Sequence, residues 1–268
     1  MTLSWYRIKT VFKAVKPSTI IHSTLQAIMK HSFCEAFPET VWKNLTVPNI
    51  FYHVPGKSHD FFLKEGEPFE IHFFFCKMEL SKVEKFSKAL KKRMASEENS
   101  NYYELVSVCD PEKRDLQSIE NEMPDIPDKG KVLLNFLLPL PFNNKKNSSF
   151  DSRTLVQVIE NRMKRFFGTD APLFKGDPDD FKIDTSNWEY TVVCTHQKDG
   201  RYGQKIHGCA GIIILNGVFS SFKTLLLYAS ELHAGSELSS SQGYFTIEFC
   251  ECSDNEKKQF EESAAEPN

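Results

Sequence analysis

Histidine is the residue type in this sequence best suited to proton transfer, because the imidazole pKa lies near neutrality. Two of the eight histidines, His22 and His31, fall in a predicted helix over residues 20–37. They are nine residues apart, and at 100° per residue this spacing places them on opposite faces of the helix. One of them is therefore a candidate for a proton-transfer role, and both together are not expected. The alternative is that His22 is an ordinary helix-start residue and His31 a solvated one.

A loop of small residues is the second feature that could do chemistry. Residues 234–243 contain two Gly, four Ser and one Ala, and they lie between a predicted helix and the last predicted strand. Such a loop can bring backbone N–H groups and hydroxyls close to an anion such as phosphate. The alternative is a plain connector, which is what most surface loops are.

Basic side chains cluster at four further places. A predicted helix over residues 80–94 has apolar residues on one face and lysines on the other, and such a face could bind an RNA backbone electrostatically. The alternative is that these lysines are only the solvated face of an amphipathic helix. The RNA-binding candidates of this kind are Lys85, Lys88 and Lys92 in that helix, Lys145 and Lys146 in a loop, Arg162 and Arg165 in the next helix, and Lys198 and Arg201 in a hairpin.

Composition limits the class of protein. The 268 residues are 40% hydrophobic and 26% charged, as in a soluble globular protein. A net charge of −3 means that any nucleic-acid surface must be local. Seven cysteines without regular spacing favour a reducing, cytoplasmic compartment. No P-loop, Rossmann fingerprint or H-E-x-x-H motif is present, and Cys250-x-Cys252 has no second ligand pair, so we expect neither a metal nor a cofactor.

The order of predicted elements is β-α-β-β-α-β, and it occurs twice. This is the ferredoxin-like order, so we predict an α+β protein of two tandem ferredoxin-like (RRM-like) domains with antiparallel sheets. The expected boundaries are residues 1–125 and 126–251, followed by an acidic, disordered tail over 252–268. Within this scheme, residues 110–129 are a linker or an excursion from the domain, Asn216–Gly217 form a turn, and Ser220 or Ser221 caps the last helix.

Several stretches resemble a known family. They are KVLLNFLLPLPF (131–142), FDSRTLVQVIENRMKRFFG (150–168), WEYTVVCTHQKDGRYGQKIHGCAGIIILNG (188–217), LHAGSELSSSQGYFTI (232–247) and, more loosely, STLQAIMKHSFCEAF (23–37). In this order they are similar to the CRISPR-associated repeat-RNA-processing endoribonucleases of the RAMP superfamily. The C-terminal half carries the clearer similarity.

The resemblance implies metal-independent cleavage of precursor CRISPR RNA, in which a ribose 2′-hydroxyl attacks the scissile phosphate. Such a reaction needs a base, an acid and positive charge. One of His22 and His31 is the candidate for proton transfer, Lys43 and Tyr52 are nearby candidates to stabilise charge or orient groups, and RNA would lie in a basic cleft between the domains. In the loop region, the implied RNA contacts are Gly235, Ser236, Ser239, Ser240 and Gly243, and His233, which stands where the resemblance puts a histidine, is expected to have a structural or RNA-contacting role.

The expected partners are precursor and mature CRISPR RNA, together with other CRISPR effector subunits and a homodimer as open alternatives; no membrane is expected. Two departures from the family leave other functions open: Ser236 stands where relatives have a lysine, and Val41 where some have a histidine. One alternative is a RAMP protein that binds RNA or scaffolds a complex without cutting. Another is a ferredoxin-like module that binds a protein or a small ligand.

Overall fold

Two four-stranded β-α-β-β-α-β units, with additional short elements, make up the fold. The computed structural model describes residues 3–20, 22–39, 50–58, 61–95, 102–123, 125–140, 150–194, 197–198, 201–202, 205–235 and 242–249. Within these ranges, no helix is both long enough and apolar enough to cross a membrane.

The N-terminal unit is built on a central strand whose residues alternate between two apolar faces. Its elements are β1 Trp5–Ala14, β2 Ser18–Ile20, α1 His22–Ala36, β3 Ile50–His53, β4 Phe61–Leu63, β5 Pro68–Cys76, α2 Leu80–Met94 and β6 Tyr103–Val108. The sheet order is β3-β5-β1-β6 with antiparallel pairing, and β2 pairs separately with β4. This is the strand order of a ferredoxin-like fold, and Ile8 and Phe12 of β1 pack with Phe86 and Leu90 of α2 in its core.

The C-terminal unit repeats this order. Its elements are β8 Lys129–Leu140, α4 Ser152–Phe167, β9 Phe181–Cys194, β10 Gln197–Lys198, β11 Arg201–Tyr202, β12 Lys205–Val218, α5 Lys223–Leu232 and β13 Phe245–Phe249. The antiparallel sheet runs β13-β8-β12-β9, and β10 pairs with β11 as a hairpin. The predicted α+β fold with two ferredoxin-like domains is therefore confirmed.

The two units share a core. The second face of the N-terminal sheet carries Trp5, Phe51, Phe74 and Cys76, and these residues belong to the same buried cluster as the helices of the C-terminal unit. The ring of Phe51 stacks on Phe166 of α4, with centroids 5.3 Å apart. Because apolar side chains lie on both faces of β3 and of the end of β5, residues 50–52 and 73–76 are continuous apolar runs in the sequence.

The segment predicted as a linker, residues 110–129, is structured. It contains β7 Glu112–Arg114, which pairs with β1, and the helix α3 Leu116–Glu122, whose first turn is capped by Asp115. Arg114, Ile119 and Ile126 are buried. The prediction was wrong because the segment is polar, and its order depends on ion pairs with distant residues.

Two local predictions in the C-terminal unit were also wrong. Asn216 and Gly217 lie inside β12, paired with Lys131 and Gly130 of β8, and do not form a turn. The last helix starts at Lys223 after Phe222, without a side-chain cap, so neither Ser220 nor Ser221 caps it. The predicted tail over 252–268 lies outside the described residues.

Candidate nucleic-acid interface

One stripe of α1 forms the wall of a cavity. Thr24, Ala27, Ile28 and His31 lie at i, i+3, i+4 and i+7, so they share one side of the helix. They face the end of α2 and the start of β6 across a cavity of about 420 Å³. We call this space the His31 cavity. Its described lining is Ser18, Thr19, Thr24, Ala27, Ile28, His31, Arg93, Met94, Tyr102 and Tyr103.

The imidazole of His31 is exposed at this cavity and electrostatically disfavoured as a cation. Its pKa is lowered from the ordinary value, first by partial burial and then by the positive charges of Arg93 and Lys30. A lowered pKa keeps the ring neutral at pH 7, and the neutral ring is the form that accepts a proton. The position of His31 is therefore compatible with a general base.

Arg162, predicted to bind RNA, holds the start of the small-residue loop instead. It is 1% exposed, and its guanidinium lies over the rings of Phe51 and Phe166. Its Nε donates to the carbonyl of Leu232 at 3.0 Å, and its Nη1 donates to the carbonyl of Gly235 at 3.4 Å. A buried guanidinium does not contact a ligand in solvent, so the role of Arg162 is positional and the prediction is corrected.

The two ends of the loop are joined by backbone hydrogen bonds. Ala234 N donates to Gly243 O at 3.0 Å, and Gly243 N donates to Pro139 O at 2.9 Å. Gly243 has a φ of +71°, and a Cβ there would lie 2.0 Å from the carbonyl oxygen of Ala234. Ala234 and Gly243 thus form a closed neck for the loop, and the predicted contacts Gly235 and Gly243 are both buried there; the predicted contacts Ser236, Ser239 and Ser240 lie outside the described residues.

His233, also predicted to contact RNA, is fully buried at the domain junction. Its Nε2 shares a hydrogen bond of 2.9 Å with Nδ1 of His53 on β3. Tyr244 stacks on His53 with ring centroids 4.1 Å apart. A direct contact between His233 and an RNA in solvent does not fit this conformation, so of its two expected roles, structural or RNA-contacting, the burial favours the structural one.

A second cavity lies beside this histidine pair. It measures about 310 Å³ and is lined by residues of both domains, among them Arg7, His53, His72, Glu231 and Tyr244. Burial, and then the neighbouring His233, His72 and Arg7, keep the pKa of His53 well below its ordinary value. The pKa of His72 is also lowered, mainly by burial.

Ion pairs close the floor of this junction. Arg114 donates to Glu231 of α5 at 2.7 Å, and Trp5 Nε1 donates to the same carboxylate at 2.9 Å. Arg7 bonds Glu122 at 2.8 Å, and this contact is the main reason that the pKa of Glu122 is lowered to about 2. Both arginines are thus neutralised by protein carboxylates, so the junction is not a cationic surface.

The basic face of α2 is exposed as predicted. Lys85 and Lys88 point to solvent, and Lys92 pairs with Glu35 of α1 at 2.7 Å. Arg165 of α4 is exposed as well. Of the hairpin residues, Lys198 pairs with Arg201 in the β10–β11 ladder, which fixes their backbone positions.

Tyr52 cannot act as predicted on a ligand in solvent. It is 1% exposed and packs near Phe73 in the N-terminal core, so the prediction is corrected. His22 begins α1, while Lys43, Lys145 and Lys146 lie outside the described residues. The described residues therefore bring His31 together with Arg93 and Tyr102, neither of which was a predicted site residue.

The spacing of α1 could have identified this site. On this helix the polar residues Thr24 and His31 lie on the same side as the apolar residues Ala27 and Ile28. Arg93 lies at the end of the lysine-rich helix, where it belongs to the basic face in the sequence.

Among the described residues, no group of His, Cys, Asp and Glu is arranged to hold a metal ion.

Comparison with known proteins identifies the fold. No protein-family model matches the sequence, and no curated protein matches it. A solved Cas6-related protein from Pyrococcus furiosus is similar, with a TM-score of 0.55, 12% identity, and coverage of 93% of this chain and 100% of that chain. Cas6 from Thermus thermophilus gives 0.55 and 13%, with coverage of 92% and 99%.

A third structure, described as an RAMP protein binding different RNA substrates, has a TM-score of 0.50, 11% identity, and coverage of 91% of this chain and 100% of that chain. All three alignments extend over both ferredoxin-like domains. The resemblance found in the sequence is thus confirmed at the level of the fold: the chain has the two-domain fold of Cas6 and RAMP-type proteins.

Proposed function

We propose that this protein is a member of the RAMP superfamily that binds CRISPR repeat RNA and cleaves precursor CRISPR RNA into guide units. The observation that carries the proposal is the agreement of both domains, in order, with Cas6 structures whose full length is covered. The exposed lysines of α2 support the RNA-binding half, because an RNA backbone is recognised through its phosphates.

The proposed cleavage activity requires a general base close to a positively charged side chain. In the proposed step, a base removes the proton of the 2′-hydroxyl, the 2′-oxygen bonds to phosphorus, and the bond from phosphorus to the 5′-oxygen breaks. An acid then protonates the 5′-oxygen, so the products are a 2′,3′-cyclic phosphate and a 5′-hydroxyl. His31 is the proposed base, Arg93 is proposed to offset the phosphorane charge, and Lys43 is a candidate for further charge stabilisation; His22 is the alternative to His31 as the proton-transfer residue.

A second function is favoured by one observation. Tyr52, a candidate for charge stabilisation or orientation in the cleavage reaction, is buried in the N-terminal core. A protein that keeps the fold and loses such a residue from its surface could bind repeat RNA, or scaffold an effector complex, without cutting. The two functions share the RNA and differ in the reaction.

The experiment incubates the purified protein with repeat RNA in EDTA, beside His22→Ala and His31→Ala variants and a repeat with a 2′-deoxy group at the cut site. We expect cleavage by the wild type, none of the deoxy substrate, and a loss of at least about 100-fold for the variant that lacks the base. Thermal melts of each variant control for folding. Binding without cleavage selects the non-catalytic function, and absence of binding overturns both.

A further inference from the structure

The His31 cavity has the chemistry of a nucleotide site. One side is cationic: Arg93 lines it, and Lys16, next to the lining, holds its Nζ over one face of the Tyr102 ring, 3.9 Å from the ring centroid. Among its described lining residues none is acidic. The pKa of His31 is lowered first by burial and then by the positive charges of Arg93 and Lys30. An anionic group is therefore favoured here.

The cavity also offers a surface on which the base of a nucleotide can stack. Tyr102 is 50% exposed, and aromatic rings are the platforms on which unpaired bases stack. Ala27, Ile28 and Met94 provide an apolar floor, while Ser18, Thr19 and Thr24 add hydroxyls that can bond base edges or a ribose. The volume of about 420 Å³ lies within the roughly 300–1,000 Å³ of small-ligand sites.

We propose that the His31 cavity binds one unpaired nucleotide, its base against Tyr102 and its phosphate at Arg93 and Lys16. A paired base hides its face in the stack, so the nucleotide must be single-stranded or flipped out. The proposal rests on the RNA-binding half of the proposed function and requires no cleavage. If His31 is also the base, this nucleotide flanks the scissile phosphate, and Tyr102 contributes to the choice of cleavage position.

The same chemistry could come from an RNA strand or from a free nucleotide. A series of repeat RNAs with 2-aminopurine at each position in turn tests the first source, since its emission reports stacking. The four nucleoside 5′-monophosphates test the second, followed through the imidazole NMR signals of His31. The variants are Tyr102→Ala, Tyr102→Phe, Arg93→Ala and, as the matched control, Tyr190→Ala, whose side chain is 66% exposed in the other domain.

We expect emission to change at one position of the RNA, and Tyr102→Ala to abolish that change and weaken binding about 10-fold. Tyr102→Phe should retain both, because the ring is what the base contacts. Arg93→Ala should lower affinity and reduce the salt slope by about 0.7, the value for one phosphate contact on a single strand. Tyr190→Ala should match the wild type.

The outcomes separate this inference from the proposed function. RNA that binds equally to wild type and Tyr102→Ala, with no stacked position and no response of His31 to monophosphates, overturns the nucleotide site alone. Monophosphates that perturb His31 while RNA does not bind support the site and overturn the RNA-binding function. RNA and monophosphates that both leave the protein unchanged overturn both.

Discussion

Nδ1 of His53 and Nε2 of His233 lie 2.9 Å apart and join the two domains through a buried hydrogen bond. His53 belongs to β3 of the N-terminal sheet, and His233 follows α5 of the C-terminal unit. Only one of the two nitrogens can carry the shared proton, so both rings are accommodated as neutral imidazoles. Protonation of His53 places a charge in a buried site, and burial is the main reason that its pKa is lowered.

The first prediction concerns stability against pH. The pKa of His53 is ordinary in the unfolded chain, near 6.5, and lowered in the folded protein. The unfolded state thus binds more protons, so stability is present above pH 6.5 and is lost as the pH falls below it. Each such histidine contributes up to about 1.4 kcal/mol per pH unit in that range.

Urea unfolding at pH 7.5, 6.5 and 5.5 measures this effect in the wild type and in His53→Gln, whose amide keeps hydrogen-bonding capacity without titrating. We expect a shallower loss of stability in the variant. The pKa of Glu122 is also lowered in the folded protein, but its effect on stability appears only at pH values below its ordinary pKa of 4.5. It therefore does not affect this measurement. Equal pH dependence of the two proteins would show that the histidine pair is not the titrating element.

The second prediction tests the positional role of Arg162. Replacement by alanine leaves the carbonyls of Leu232 and Gly235 without this donor and opens a void beside Phe51 and Phe166. We expect a loss of about 2–4 kcal/mol in the free energy of unfolding. Arg165→Ala, three residues further on the exposed side of α4, should change it by less than about 0.5 kcal/mol. Similar losses in both variants would contradict the assignment.

The third prediction uses two glycines with almost the same backbone angle. Gly243 has a φ of +71° and Gly56 a φ of +67°, but only at Gly243 would a Cβ collide with a backbone carbonyl. Alanine at Gly56 should cost about 1–2 kcal/mol, the strain of the left-handed conformation alone. Alanine at Gly243 should cost more and should weaken RNA binding, since the loop neck must move. Denaturation and gel-shift assays measure the two effects.

A loss at Gly56 equal to that at Gly243 would mean that backbone strain, and not the contact with Ala234, decides the outcome. RNA affinity should stay at the wild-type value in Gly56→Ala. The comparison therefore isolates the close approach of the two loop ends from the general preference of glycine for positive φ.

The amphipathic elements could be predicted from the sequence, and the packing between the domains could not. The predicted helix over 80–94 matches α2 because its apolar residues recur at helical spacing. β3 is buried at all four positions, so alternation could not indicate which face Tyr52 occupies. The order of residues 112–122 depends on Arg114 meeting Glu231, which is 117 residues away in sequence, and no local pattern contains that contact.

The burial of Arg162 could have been predicted, because its position in the sequence indicates it. It lies three residues after Ile159 and four before Phe166, so it belongs to the apolar stripe of α4, all of which is buried. An arginine on such a stripe is expected to be buried with partners, and the basic residues around it concealed this. Arg93 and Tyr102 are near each other in sequence, but both meet His31 of α1 only in the folded protein. No local motif indicates that contact.

The fourth prediction concerns the lysines of α2. Lys85→Ala and Lys88→Ala should each weaken repeat-RNA binding at low salt and lower the slope of log affinity against log salt by about 0.7. The effect should be nearly the same for any single-stranded RNA, because phosphates carry no sequence information. Lys182→Ala, an exposed lysine on β9 of the other domain, is the matched control. If the salt slopes of the α2 variants equal that of the wild type, these lysines form a solvated helix face and do not contact RNA phosphates.

The last prediction links Arg93 to the protonation of His31. Because Arg93 is one of the charges that lower the His31 pKa, its replacement by glutamine should raise that pKa toward the ordinary value of 6.5. NMR titration of the imidazole measures this directly, whether or not the protein cleaves RNA. If His31 is the base, the rising limb of kcat/KM against pH should move upward by the same amount. A shift in the NMR titration without a shift in the rate profile would assign the base to another residue, and an unchanged titration would show that Arg93 does not set the electrostatics of the cavity.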